Sequence, residues 1–502
     1  MKIDKSRAPA KSWVKKALCG SAVLGLAMTV GAQSALAGNG YAYGHGNGNG
    51  HGYGNDDFDT VTPYNRVAKL KIVRTNGKID YAATYAKGKA AAAYLADYVA
   101  RNIDSEVLGA GTIKGGDWVL GGTSKTCRKT QTCTDDEISH AIIQIPAPEP
   151  IDPNDPAYLA DGTVTKANTK KASVLDFCNE HYASQALGVA PITGTEVDGD
   201  AKYVVNGYSH TTALPCEVSI WNDDKHIYVD MLDPNAIFSL FFTDALFSNN
   251  MQDADFAEAL RDLPPQVKSE IRAIILHAMN EFDSKTKTVD KQLGPKYKSM
   301  DEVVNAVANS PEGSPYKHVA YTRIDGEAFT LDDSAAVTQA IITTMSIHGT
   351  PGAGTHPTVI DGGDTLDSIL SPKSSWRSAR PTPLTLPGKN HIIEACSPKY
   401  AKMAMSTGLH HVTALPCEIS VQIIDSNDDG SKDSLVVSYL DPHFMLGALF
   451  ADISEADKLA FADIPGNIMD DLQKVVAAAL EFNSSIVDVT TADQFWYDML
   501  PH

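Results

Sequence analysis

The densest run of cation-binding side chains is Asp425-Ser-Asn427-Asp-Asp429-Gly430-Ser431-Lys-Asp433. Oxygen-bearing residues at alternate positions let one short loop wrap a hard cation such as Ca²⁺, and a glycine at the sixth position permits the sharp turn. The expected ligands are Asp425, Asn427, Asp429, Asp433 and the Ser431 carbonyl. Val436 stands at the twelfth position, where a bidentate Glu would strengthen the loop, so the expected affinity is weak. The alternative is an acidic turn between two strands. A second set is His210, His411, Glu217 and Glu418. Imidazole serves as metal ligand or base, and a carboxyl as ligand or general acid. The competing reading makes each histidine a turn cap and each glutamate an outward residue on a strand, with no visible partner.

The second set recurs because the chain repeats itself. His210-Thr-Thr-Ala-Leu-Pro-Cys-Glu-Val-Ser219 and His411-Val-Thr-Ala-Leu-Pro-Cys-Glu-Ile-Ser420 share eight of ten residues. Each is followed by two β-rich runs joined by a polar turn and closed by Leu-Asp-Pro, at Pro234 and Pro442. Such a pattern is a hairpin followed by a helix start. Each copy continues into an apolar helix, 237–242 and 444–450, and a second helix that ends near Phe282 or Phe482. Upstream, Val174-Leu-Asp-Phe-Cys178 parallels Ile392-Ile-Glu-Ala-Cys396. The spacing predicts an opening strand over 66–74 with a turn at Asn76-Gly77, a helix over 81–102 and a strand over 141–145. In the second copy it predicts a strand over 318–324 and a helix over 332–347.

At these residues the chain resembles the bacterial and archaeal family called domain of unknown function 302. The carriers are Glu394-Ala-Cys396-Ser-Pro398 and Leu415-Pro-Cys417 in the second copy, with Cys178 and Leu214-Pro-Cys216 as looser counterparts. The resemblance implies a tandem repeat of an α+β fold. Each copy would be a curved antiparallel sheet with helices packed on one face, similar to TATA-binding-protein-like folds. It implies no activity.

The elements divide the chain into a secretory signal peptide at 1–37, a Gly/His/Asn-rich spacer at 38–61, a first repeat domain at 62–283, a lysine-rich linker at 284–313 and a second repeat domain at 314–502. The first repeat carries inserts near 146–170 and 188–205. Six basic residues, an apolar run over 17–30 and Ala35-Leu-Ala37 have the order of a cleavable leader, which places the protein in the periplasm or outside the cell. The apolar run is too short to span a bilayer, and no other stretch of the mature chain is long enough. Without residues 1–37 the chain holds 36 basic residues against 61 acidic ones, a formal charge of about −25. That field repels phosphate backbones and excludes nucleic acid as a partner.

Export exposes cysteines to oxidation. Equivalent positions predict equivalent bonds, so the expected disulfides are Cys178–Cys216, Cys396–Cys417 and, by proximity, Cys127–Cys133. Reactive thiols or a metal site built from the same cysteines are the alternative. The chain has no G-x-S-x-G, H-E-x-x-H, phosphate-binding Gly-rich loop or C-x-x-C-H pattern. The expectation is an exported, non-enzymatic protein that binds a small molecule or a cation, with Ca²⁺ as the candidate cofactor. An enzyme or redox protein using His210/His411 or the paired cysteines is one alternative, and a surface-assembly protein is the other.

Overall fold

Alternating apolar and polar residues set the strands, and capped runs set the helices between them. The computed structural model describes residues 60–103, 118–123, 127, 131–145, 172–186, 210–214, 216–242, 254–308, 315–349, 377–381, 391–396, 398–415, 417–424, 434–481 and 483–495. The leader, most of the spacer, the inserts near 146–170 and 188–205, and the Asp425–Asp433 turn lie outside these residues.

The first half opens with β1 (Tyr64–Lys71) and a small hairpin, β2 (Arg74–Thr75) and β3 (Lys78–Ile79). Asn76 and Gly77 turn it at φ of 52° and 77°, the positive values a two-residue hairpin turn requires. Asp80 accepts from the Ala83 amide and starts α1 (Tyr81–Asp97), which runs on as a π-helical turn to Asn102. Then follow β4 (Trp118–Leu120), α2 (Asp135–His140), β5 (Ile143–Ile145), β6 (Ala172–Asn179), α3 (Glu180–Ala186) and a 3₁₀ turn (Thr211–Ala213). Next come β7 (Cys216–Asn222), β8 (His226–Leu232), α4 (Pro234–Phe241), α5 (Ala254–Phe282), β9 (Lys287–Leu293) and α6 (Met300–Ala308). The second half runs β10 (Tyr316–Arg323), α7 (Leu331–Gly349), β11 (Arg377–Pro381), β12 (His391–Cys396), α8 (Pro398–Thr407) and a 3₁₀ turn (Leu409–Ala414). It ends with β13 (Cys417–Ile424), β14 (Ser434–Leu440), α9 (Pro442–Ala448), α10 (Glu455–Ala460), α11 (Ile464–Glu481) and β15 (Val487–Phe495).

The two Leu-Asp-Pro motifs act as the sequence suggests. Asp233 and Asp441 accept from the amides of Asn235 and His443, and the prolines take the first helical turn of α4 and α9, where no amide donor is needed.

The fold is α+β with antiparallel sheets. One sheet has the order β4-β6-β7-β8-β1-β9, with β5 also on β6, and the other β11-β12-β13-β14-β10-β15. The strand path β6-β7-β8-β1-β9 is therefore repeated by β12-β13-β14-β10-β15. In the second sheet Ile393, Ile419, Val421, Val437 and Tyr439 bury their face against α7 and α11, with Val337, Ile341, Leu472 and Val475 in the same core.

The opposite sheet faces are also buried, which is why β6 is covered along its whole length. The first sheet presents Ala172, Val174, Trp221 and Tyr228, and these pack with Ala401, Met405 and Val412 of the second half. Ser219 Oγ lies 2.6 Å from Thr413 Oγ1 across this seam. Phe241 meets Phe444 edge-on at 5.2 Å. Thr60–His502 accordingly forms one compact unit.

The expected linker at 284–313 contains sheet structure. Its segment Lys287–Leu293 is β9, paired with β1 through Tyr64↔Leu293 and Asn65↔Gln292. The lysines that suggested a linker belong to an exposed edge strand, where charge discourages pairing with other chains. The second helix of the first half starts at Ala254 and carries Pro264 and Pro265 inside it.

Phe241 is nearly fully buried at the seam. Phe241→Ala should cost about 3–5 kcal/mol, the range for emptying an aromatic site. Urea unfolding followed by fluorescence and circular dichroism should show one transition for the intact chain; two separated transitions would mean that the halves fold independently.

Candidate metal centre at the seam

The cysteines place the site's frame. Cys127 and Cys133 form a disulfide, Cα atoms 4.3 Å apart, as expected. Cys178 and Cys216 are free thiols, against the predicted bond. The register explains this: Phe177, not Cys178, stands opposite Cys216, so the two side chains leave opposite faces of the sheet. Burial, then Asp176, pushes the Cys178 thiol up, and burial, then Glu217, pushes up that of Cys216. Both stay protonated at neutral pH and are poor nucleophiles, which removes support from a reactive-thiol role. Cys396 and Cys417 hold the equivalent backbone positions, and their side chains lie outside the described set.

Glu217 and Glu418 do not point outward. They are 7% and 1% exposed, on the faces turned to the seam. Each has a cross-strand carboxyl partner, Asp176 opposite Glu217 and Glu394 opposite Glu418. The two pairs approach each other at Gly121. A Cβ on Gly121 would lie 2.6 Å from Glu394 Oε1 and 2.9 Å from Asp176 Cβ, so only glycine admits the Glu394 carboxyl there. Burial, and secondly Asp176, raises the Glu217 carboxyl well above the usual carboxylate range.

The two repeated histidines occupy matching niches, each closed by the other half. His210 stacks on Phe242 at 4.4 Å and meets Tyr316 edge-on at 5.6 Å. His411 packs on Phe450 at 4.5 Å and on Tyr64 at 5.8 Å. The second niche holds two further groups. His410 Nε2 is 3.2 Å from Asp452 Oδ2, and His411 Nε2 is 2.9 Å from Asp452 Oδ1. One ligand atom from each of His410, His411 and Asp452 falls within 4.8 Å of the others.

The local chain is built to hold these rings. Helix α8 ends at Thr407, and Gly408 brings the chain back beneath both imidazoles. A Cβ there would sit 2.9 Å from His411 Cε1 and 3.0 Å from His410 Cε1. Thr407 donates its single hydroxyl proton to the Ala404 carbonyl at 2.7 Å, so at 2.8 Å it accepts from His411 Nδ1–H. That bond turns the Nε2 edge of the His411 ring toward Asp452. Burial lowers the proton affinity of His411, outweighing the hydrogen bond to Asp452. Half-burial works against ionisation of Asp452, yet the bonds to His410 and then His411 hold its carboxyl well below the usual range.

Sequence reading found His210 and His411 and brought neither His410 nor Asp452 into the set. The signal was available in the repeat. Gly207 and Gly408 stand three residues before the repeated histidines, and Asp244 and Asp452 stand two residues after Phe242 and Phe450. The position of His410 is Ser209 in the first copy.

If burial keeps Glu217 protonated, its native form binds a proton that the unfolded chain releases as pH rises above the ordinary carboxylate range. Stability is then greatest below that range and is lost as pH rises toward the raised native value. Glu217→Gln keeps the shape without the ionisation cost, so its melting temperature should gain on the natural chain steadily between pH 4 and 7. A difference that does not change with pH would show that Glu217 is ionised in the native state.

The family described as Domain of unknown function DUF302 matches residues 384–479, which run from just before β12 into α11 and include His410, His411 and Asp452. No curated protein and no solved structure matches the chain.

Proposed function

We propose that this is an exported protein that binds a divalent transition-metal ion through His410, His411 and Asp452. The observation that carries the reading is the convergence of two imidazole nitrogens and one carboxylate within 4.8 Å. Metal bonds of about 2.0–2.2 Å set ligand atoms about 2.9–3.5 Å apart at tetrahedral to octahedral angles. The two nitrogen-to-oxygen separations, 3.2 and 2.9 Å, fit that spacing. Two nitrogen donors favour zinc, nickel or copper(II) over Ca²⁺ and Mg²⁺, which take oxygen ligands. Three protein ligands leave a position open, so the ion would carry water or an exchangeable ligand. The leader-like segment supports export.

The same reading treats the two halves as copies of one domain with a TATA-binding-protein-like sheet. Its support is the repeated strand path together with the paired niches of His210 and His411. On this view one copy keeps an ion ligand, His410, where the other has Ser209.

Zinc titration of chelator-stripped protein tests the function. Zn²⁺ at a hundred times its dissociation constant should stabilise the chain by about 2.7 kcal/mol, read as a rise in melting temperature. Asp452→Asn should weaken binding by at least about tenfold and remove most of the rise at the same zinc concentration. Equal titrations for the natural and variant chains would refute the assignment.

A further inference from the structure

Every proposed ligand comes from the second half, yet the first half encloses the site. Tyr64, at the start of β1, lies edge-on to His410 at 5.2 Å and tilted against His411 at 5.8 Å. Its hydroxyl donates to the Leu449 carbonyl at 3.1 Å. Tyr297, which follows β9, donates to the adjacent Ala448 carbonyl at 2.7 Å. These consecutive carbonyls close α9 just before the segment that delivers Asp452. Tyr64 is itself backed by Gly294. At φ +88° Gly294 adopts a conformation that favours glycine, and a Cβ would lie 2.7 Å from Tyr64 Cδ2.

Building on the metal reading, we infer that Tyr64 and Tyr297 are positioning residues for the ion. Neither is a ligand, since each hydroxyl is spent on a carbonyl. Tyr64 fixes the tilt of the imidazole pair, and the two hydroxyls fix the end of α9 from which Asp452 projects. The first half of the chain thereby sets the affinity of a site whose ligands all lie in the second.

The fold supplies an internal control. Tyr316 stands where Tyr64 stands, at the start of β10, and donates to the Phe241 carbonyl at 2.8 Å. It faces His210 instead of the ion site. Tyr64→Phe and Tyr316→Phe each delete one buried hydroxyl, so a purely structural role predicts similar stability losses and unchanged metal binding in both.

The experiment uses the full chain. It measures Zn²⁺ affinity by competition with a chromogenic chelator and the visible absorption of the Co²⁺ form, for the natural chain, Tyr64→Phe, Tyr297→Phe and Tyr316→Phe. The expected result is a loss of about 10–100-fold in Zn²⁺ affinity and an altered Co²⁺ spectrum for Tyr64→Phe and Tyr297→Phe, with Tyr316→Phe like the natural chain. Tyr297→Phe leaves the Tyr64 ring packing untouched and decides the matter if Tyr64→Phe does not fold. Natural-like binding by the first two variants, or an equal loss in all three, overturns the inference while leaving the metal site standing. A natural chain that takes up neither ion overturns the metal reading and this inference with it.

Discussion

The structure depends on one constraint: each sheet has two faces to cover, and one layer of helices covers only one. Strands such as β6 and β14 are buried nearly throughout. The second face of each sheet is covered across the seam, where the 3₁₀ turn of one half lies against strands of the other. Thr413 reaches Ser219, and Val412 joins Val174 and Trp221. Polar groups on those faces are consequently withdrawn from water, and several find partners within the fold. Asp230 receives both Arg66 and the Trp221 indole, while at the matching place Ser438 meets His318 and Gln422. The same geometry is thus filled by a charged network in one half and a neutral one in the other. His318 fits its neutral network, because burial drives its ring down to about 3.

That constraint also creates the candidate ion site. His411 is buried because it sits under Tyr64 and against Phe450, and burial keeps it neutral. Asp452 remains half-exposed and holds its charge through the two imidazoles. A neutral donor and an ionised one, brought together at the rim of a packed seam, are what a borderline metal requires of its ligands. The buried Glu217 obeys the opposite rule, since desolvation there favours the protonated form.

Much of this was legible in the sequence. Hairpins, caps and the repeated order of elements follow from period-two alternation, Leu-Asp-Pro and Asn-Gly, all local rules. The small disulfide between Cys127 and Cys133 follows from proximity. What failed was everything set by the second half lying over the first. Glu217 and Glu418 were placed outward because a sheet covered by helices on one face has a wet face on the other, and here that face is dry. Cys178 and Cys216 were paired by analogy, without the one-residue offset in register that separates them. Residues 287–293 read as linker because an edge strand's charges look like those of a solvated connector. Asp452 was missed because it sits 41 residues from His411, and no local pattern joins them.

The seam has a consequence for how the two halves can diverge. Were they separate subunits of a symmetric pair, every substitution would appear twice. In a single chain the partner is always present at high effective concentration, so dilution does not part the halves. Each side of the seam is also free to change alone. Ser209 and His410 are such a difference, as are Asp230 and Ser438. Covalent continuity thus lets matching places on the two sides of the seam carry different residues within one polypeptide.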